Sequence, residues 1–156
     1  MLSLFHWLAS THMSIALRDS QWAFAIIEIF HLLALALSGG AILYFDIRLL
    51  GWGFTSQSEK QVARSLMPLA IVGIAAMIVS GFFMVASGPV RYYYNPAFRL
   101  KMYLFVAALL FHFAVQWAVS RRRDDRQIAL PERIAAVLSL LLWFSIGVAG
   151  RAIGFV

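Results

Sequence analysis

Four stretches of this chain are too long and too apolar to fold in water. They run from Trp22 to Phe45, Leu66 to Ala86, Phe98 to Val119 and Arg133 to Ile153. A hydrocarbon core about 30 Å thick takes roughly 20 apolar residues to cross as a helix. Each stretch meets that length, and 62% of the whole chain is hydrophobic. The reading is all-α: a four-helix transmembrane bundle forming a single membrane domain over residues 1–156. Its solvent is the lipid bilayer.

The charges agree with this reading. A net charge of +6 in a soluble domain would suggest nucleic acid. Here the basic residues sit between apolar runs, where topology signals and anionic lipid contacts belong, and no nucleic-acid partner is expected. One side of the predicted topology carries Arg48, Lys60, Arg64, Arg121, Arg122, Arg123, Arg126 and Arg133. The other carries Arg18, Arg91, Arg99, Lys101 and Arg151. The side with more arginine should be cytoplasmic, which puts both termini in the periplasm of a Gram-negative cell and the chain in the inner membrane. The absence of cysteine excludes disulfides, thiolate metal sites and covalent haem attachment.

Residues 2–17 differ from the rest. Ser3, His6, Ser10 and Ser14 recur at helical spacing, with Leu4, Phe5, Trp7, Leu8 and Ile15 largely on other faces. This predicts an amphipathic helix lying in the interface. The start lacks a positive n-region and a clear cleavage site, so no removable signal peptide is read. His6 and His12 are six apart, on different faces, and are assigned no metal.

Two histidines lie inside the apolar segments, His31 and His112. Intramembrane ionisable groups are costly and tend to be functional. Counted from the predicted outer edges, the two differ in depth by roughly 7 Å, which helix tilt can absorb. A pair of imidazoles on two helices of a bundle is the donor set of one b-type haem. The alternatives are another metal or proton role, or hydrogen-bonded imidazoles with no ligand. Ser38-Gly39-Gly40-Ala41, Gly73, Ser80 and Gly81 would leave room for a porphyrin, or equally let helices pack closely. Lys101, Arg91 and Arg99 are candidates to face haem propionates, although a lysine there can also snorkel to the interface.

Glu28 lies one turn before His31. A di-iron carboxylate site needs two Glu-x-x-His motifs and further glutamates, and the chain has one such motif. Arg151, near the outer end of the fourth helix, is the candidate partner for Glu28. The pair would be a structural ion pair or a proton relay beside a quinone. Asp46 and Arg48 read as an internal salt bridge or a cap. Met77 and Met84, seven apart, would suit copper or serve as apolar filler. No Ser–His–Asp set, phosphate-binding glycine loop or paired catalytic carboxylates are evident.

The pattern Glu28-x-x-His31, Gly40, DIRLLG at 46–51, FRLKMYLF at 98–105 and GRAIGF at 150–155 resembles a family of small bacterial four-helix membrane proteins of unknown function. The resemblance runs from Arg18 to the C-terminus and implies the four-span topology. More distantly, Leu-Lys opening a helix with a later histidine resembles cytochrome b561-like, copper-resistance D-type and J-type protoporphyrinogen-oxidase membrane proteins. That second resemblance implies His31 and Lys101 as haem contacts. The expected function is a haem b protein passing electrons between a quinone or partner protein and a periplasmic acceptor, more an electron-transfer or accessory subunit than a stand-alone enzyme. The alternative is a non-catalytic subunit that anchors or stabilises a larger membrane complex.

Overall fold

In a bilayer every backbone N–H and C=O must find its partner within the protein, and a helix does this within one segment. The computed structural model describes residues 2–52, 58–121 and 129–155. Within them the chain forms α1 (Leu2–Ala9), α2 (His12–Asp19), α3 (Ala23–Leu49), α4 (Glu59–Ala86), α5 (Pro89–Tyr94), α6 (Pro96–Ser120) and α7 (Leu130–Ala152). Helices α3, α4, α6 and α7 are 23 to 28 residues long, and all four are apolar enough to cross a membrane. The molecule is a multi-pass membrane protein. Leu32, Leu33, Val72, Tyr103, Leu110 and Phe144 face outward, where hydrocarbon replaces water as the solvent.

The spans are longer than the hydropathy suggests, and side-chain caps set the starts of α4 and α6. Ser58 and Gln61 form a capping box: the Gln61 N–H donates to Ser58 Oγ and the Ser58 N–H donates to Gln61 Oε1. Helix α4 therefore starts at Glu59, two turns before the expected Leu66. Pro68 sits inside the helix, where it cannot bond the Arg64 carbonyl. Asn95 caps α6 by accepting from the Phe98 N–H at 2.9 Å, and Pro96 fills the first position, where no N–H is needed. Helix α3 continues past Phe45 through Asp46 and Arg48 to Leu49.

The expected single helix over 2–17 is two helices. Ser10 Oγ donates to the Trp7 carbonyl and Thr11 Oγ1 to the Leu8 carbonyl, both at 2.7 Å. Such local bonds compete with the helical ladder, and Thr11 then caps α2. The pair docks on the bundle. Phe5 of α1 meets Tyr93 of α5, with ring centroids 5.1 Å apart. Ser14 of α2 is fully buried and donates to the Ala86 carbonyl of α4 at 2.7 Å. Helices α1, α2 and α5 thus close the end of the bundle that carries both chain termini, the terminal end.

Helix α3 packs most extensively on α4, and α6 on α7. The closest approach is Gly73 against Ser38: a Cβ on Gly73 would stand 2.7 Å from the Ser38 nitrogen. Ser38 turns its hydroxyl inward, to the Ala34 carbonyl at 2.9 Å and the Met77 sulfur at 3.3 Å. Two apolar clusters follow along the bundle. One, toward the end opposite the termini, joins Phe45, Leu49, Val62, Ala63, Val119 and Ala136. The other joins Ala41, Ile42, Ala70 and Ile74 in mid-bundle.

Gly73→Ala should push α3 and α4 apart and lower unfolding stability by about 1–3 kcal/mol, the usual scale of overpacking. Gly39 and Gly40 have nothing within 4 Å of an added Cβ, so Gly39→Ala and Gly40→Ala should hold or raise stability, alanine being the better helix former. Thermal melts in detergent followed by circular dichroism check both.

Candidate functional site

His31 lies about 12 Å along α3 from Ala23 at 1.5 Å per residue and crosses to α4. Its Nδ1 is 2.9 Å from Ser80 Oγ. The Ser80 hydroxyl proton is already committed to the Ala76 carbonyl at 2.6 Å. With that proton given to Ala76, Ser80 accepts from His31 Nδ1, the ring also bonds the Met77 carbonyl, and the lone pair of the neutral ring lies on Nε2. This is the tautomer a metal or an acid would use, oriented by a hydrogen bond on the other ring nitrogen as in histidine metal sites. The ring lies against Gly81, where a Cβ would stand 3.4 Å from His31 Cε1.

Lys101 of α6 stands close enough to His31 to act on it electrostatically. Its chain lies over Gly150 of α7, where a Cβ would be 3.4 Å from Nζ. Among the described residues Lys101 has no ion-pair partner. The structure therefore gathers a lone-pair donor, an ammonium and two glycines from four helices at the terminal end. Beside it an open apolar groove of about 430 Å³ runs between α3 and α4, lined by Ile27, Phe30, Ala76, Val79, Ser80 and Phe83.

His112 belongs to a different level. It is 1% exposed, and its ring meets Phe45 at 5.8 Å, Phe113 at 5.7 Å and Trp143 at 6.5 Å between centroids. Phe45 is 14 residues beyond His31, about 21 Å along α3, and the His112 ring packs on Phe45, so the two imidazoles lie at different levels of the bundle. Nitrogens sharing one iron stand roughly 4 Å apart. The two histidines are not brought together, and the expected bis-histidine set does not form. The expectation counted depth from hydropathy edges. Helix α6 begins earlier than its apolar run and α3 later, which widens the gap, and packing sets the register.

Glu28 and Arg151 are not brought together either. Both are exposed, and among the described residues they make no ion pair. Three residues leave Glu28 about 60° round the helix from His31, on its exposed side. It acts electrostatically on Tyr92 instead. Burial raises the Tyr92 phenol above its ordinary value, Arg91 opposes that shift, and Glu28 adds to it. The Arg151 guanidinium lies 5.0 Å from the Phe155 ring centroid. Arg91 and Arg99 are exposed at the terminal end. Arg48 pairs with Glu59 at 2.7 Å rather than with Asp46, which is 1% exposed and faces Ser139.

Sequence reasoning missed a group of polar residues around His112: Asp46, Gln116, Ser139 and Trp143. The signal was available as spacing. Gln116 follows His112 by four residues and Trp143 follows Ser139 by four, which puts each pair on one helix face.

Comparison with known proteins finds one family model, described as a family of unknown function (DUF6644), matching residues 5–156. No curated protein and no solved structure matches the chain.

Because Glu28 and Arg151 do not touch, the stability effects of Glu28→Gln and Arg151→Gln should add to within about 0.5 kcal/mol in the double variant. A double-mutant cycle on thermal unfolding in detergent measures this directly.

Proposed function

The chain belongs to the DUF6644 family, whose function is unknown, and from its own geometry we propose a haem b membrane protein with one protein imidazole on the iron, contributed by His31. The observation that carries this reading is the His31–Ser80 hydrogen bond, which favours the tautomer with its lone pair on Nε2. The nearby charge narrows the ligand. An unpaired ammonium on Lys101 calls for an anionic group within reach of the atom His31 binds. Haem b has both parts, a Lewis-acid iron and propionates. Gly81 and Gly150 let the His31 ring and the Lys101 chain lie directly against α4 and α7.

In this reading His31 orients the ligand, Ser80 fixes the imidazole tautomer, and Lys101 neutralises a carboxylate that hydrocarbon would otherwise exclude. A haem held there would supply a one-electron carrier. The apolar groove beside Ser80 opens to lipid, which suits a quinone as electron donor. The arginine bias favours a periplasmic terminal end in a bacterial cytoplasmic membrane, so the acceptor would be a periplasmic or membrane protein. A second reading, an anchoring subunit of a larger complex, draws on Leu4, Trp7 and Tyr94, all exposed on the terminal cap where a protein partner could cover them.

Purified protein should show haem bands that sharpen on reduction with dithionite. His31→Ala should abolish them and His112→Ala should leave them. Ser80→Ala should weaken haem affinity about 10–100-fold, the usual cost of losing such a partner. Colourless protein after expression with ample haem, or bands lost in His112→Ala but kept in His31→Ala, would refute the assignment. Colourless protein held stoichiometrically in a larger complex would select the anchoring role.

Topology has its own check. A reporter fused after Arg126 should behave as cytoplasmic and one after Val156 as periplasmic. The reverse pattern would invert the orientation.

A further inference from the structure

The end of the bundle opposite the termini holds a second polar group that the haem reading does not use. Asp46 of α3, His112 and Gln116 of α6 and Ser139 of α7 are each at most 3% exposed. Among the described residues, Asp46 Oδ2, both His112 nitrogens, Gln116 Oε1, Ser139 Oγ and Trp143 Nε1 are buried without a hydrogen-bond partner. Ser139 faces the Asp46 carboxyl without closing a bond.

Packing shows that these residues share a layer. His112 meets Phe45, the neighbour of Asp46, and also Trp143, one turn from Ser139. Gln116, one turn from His112, donates through Nε2 to the Ala63 carbonyl of α4 at 3.1 Å. That bond also settles which way the amide points. A carbonyl can only accept, so the NH₂ faces Ala63 and Oε1 is turned away from it as an acceptor. Apolar residues flank the layer: Leu49, Val62, Val119 and Ala136 toward the opposite end, and Ala41, Ile42, Ala70 and Ile74 toward mid-bundle.

A buried polar atom left unsatisfied costs about 1–3 kcal/mol, and lipid offers no remedy. Six such atoms in one layer call for a guest, and their chemistry selects it. Trp143 Nε1, one His112 nitrogen and the Ser139 hydroxyl are donors. Asp46 Oδ2, Gln116 Oε1 and the other His112 nitrogen are acceptors. A bare cation would leave the donors unmet, and an anion would leave the acceptors unmet. Water meets both, and a buried water typically makes about three hydrogen bonds.

We propose that this layer is a membrane-embedded proton-binding site, in which bound water joins Asp46, His112, Gln116 and Ser139 and the Asp46 carboxylate takes up and returns one proton. Uptake converts the carboxylate and a hydrated proton into a carboxylic acid and water, with no electron transferred. The charged and titratable groups on the packed helices at this end are Arg48 of α3, paired with Glu59 of α4, Lys60 and Arg64 of α4, His112 of α6, and Glu132 and Arg133 of α7. Arg133 reaches to Gly51, where a Cβ would lie 3.6 Å from its Nη2. The site stands or falls independently of haem, because neither His31 nor Lys101 takes part.

Infrared difference spectra of the protein in lipid nanodiscs, recorded while the pH is lowered, test the proposal. The wild type should gain a carboxylic-acid C=O stretch that shifts in heavy water. Asp46→Asn should lose that band. Ser139→Ala and Gln116→Leu should move it, and Glu28→Gln should leave it in place. A band that persists in Asp46→Asn, or one indifferent to Ser139 and Gln116, overturns the proposal. A second measurement needs no variant. Brief X-ray radiolysis in oxygen-18 water labels side chains beside bound water, so Trp143 should be labelled despite its buried Nε1. An unlabelled Trp143 overturns the hydrated layer. Thermal stabilisation by sodium over choline chloride, abolished in Asp46→Asn, would reassign the layer to a metal cation and also overturn the proposal.

Discussion

A solvent that can neither donate nor accept a hydrogen bond governs this molecule. Inside hydrocarbon the backbone is satisfied by long helices, and each polar side chain must find a partner on its own helix or a neighbouring one. Most do so locally. Ser38, Ser80 and Ser145 each return a hydroxyl proton to a carbonyl one turn back. Others tie elements together: Ser14 to the end of α4, Asn95 to the Ile153 carbonyl, Gln116 to the Ala63 carbonyl. Groups left over after that matching are the ones that call for a chemical explanation.

Those groups fall into two places at different depths. At the terminal end His31 and Lys101 offer a lone pair and a positive charge, an arrangement for a ligand that is both electrophilic and anionic. Toward the opposite end the layer around Asp46 and His112 offers donors and acceptors in comparable number, an arrangement for water. Between them Gly73 on Ser38 lets α3 and α4 approach closely, and apolar residues keep the two places apart. One imidazole thus serves each place, which is why the pair cannot share an iron.

The architecture was legible because it rests on one-dimensional properties. Apolar run length fixes the number of spans, and Trp22 to Phe45 marks one whatever its neighbours do. The ends were less legible. The Ser58–Gln61 capping box extends α4 through charged residues that hydropathy discounts, and Thr11 splits a segment with a continuous amphipathic pattern. Single site residues could be named from their rarity, His31 and Lys101 among them. Which of them meet could not, because that depends on helix register and rotation. Glu28 and His31 are one turn apart yet face different neighbours. Asp46 and Arg48 are two residues apart and part company, one toward Ser139 and the other to Glu59.

The central claim is that His31 and His112 serve separate sites. Magic-angle-spinning NMR of the chain in bilayers, with ring-labelled histidine, measures it most directly. The account predicts cross-peaks from the His31 ring to Ser80 and Gly81, and from the His112 ring to Phe45 and Trp143, with none between the two imidazoles. A cross-peak joining the two histidine rings would contradict it.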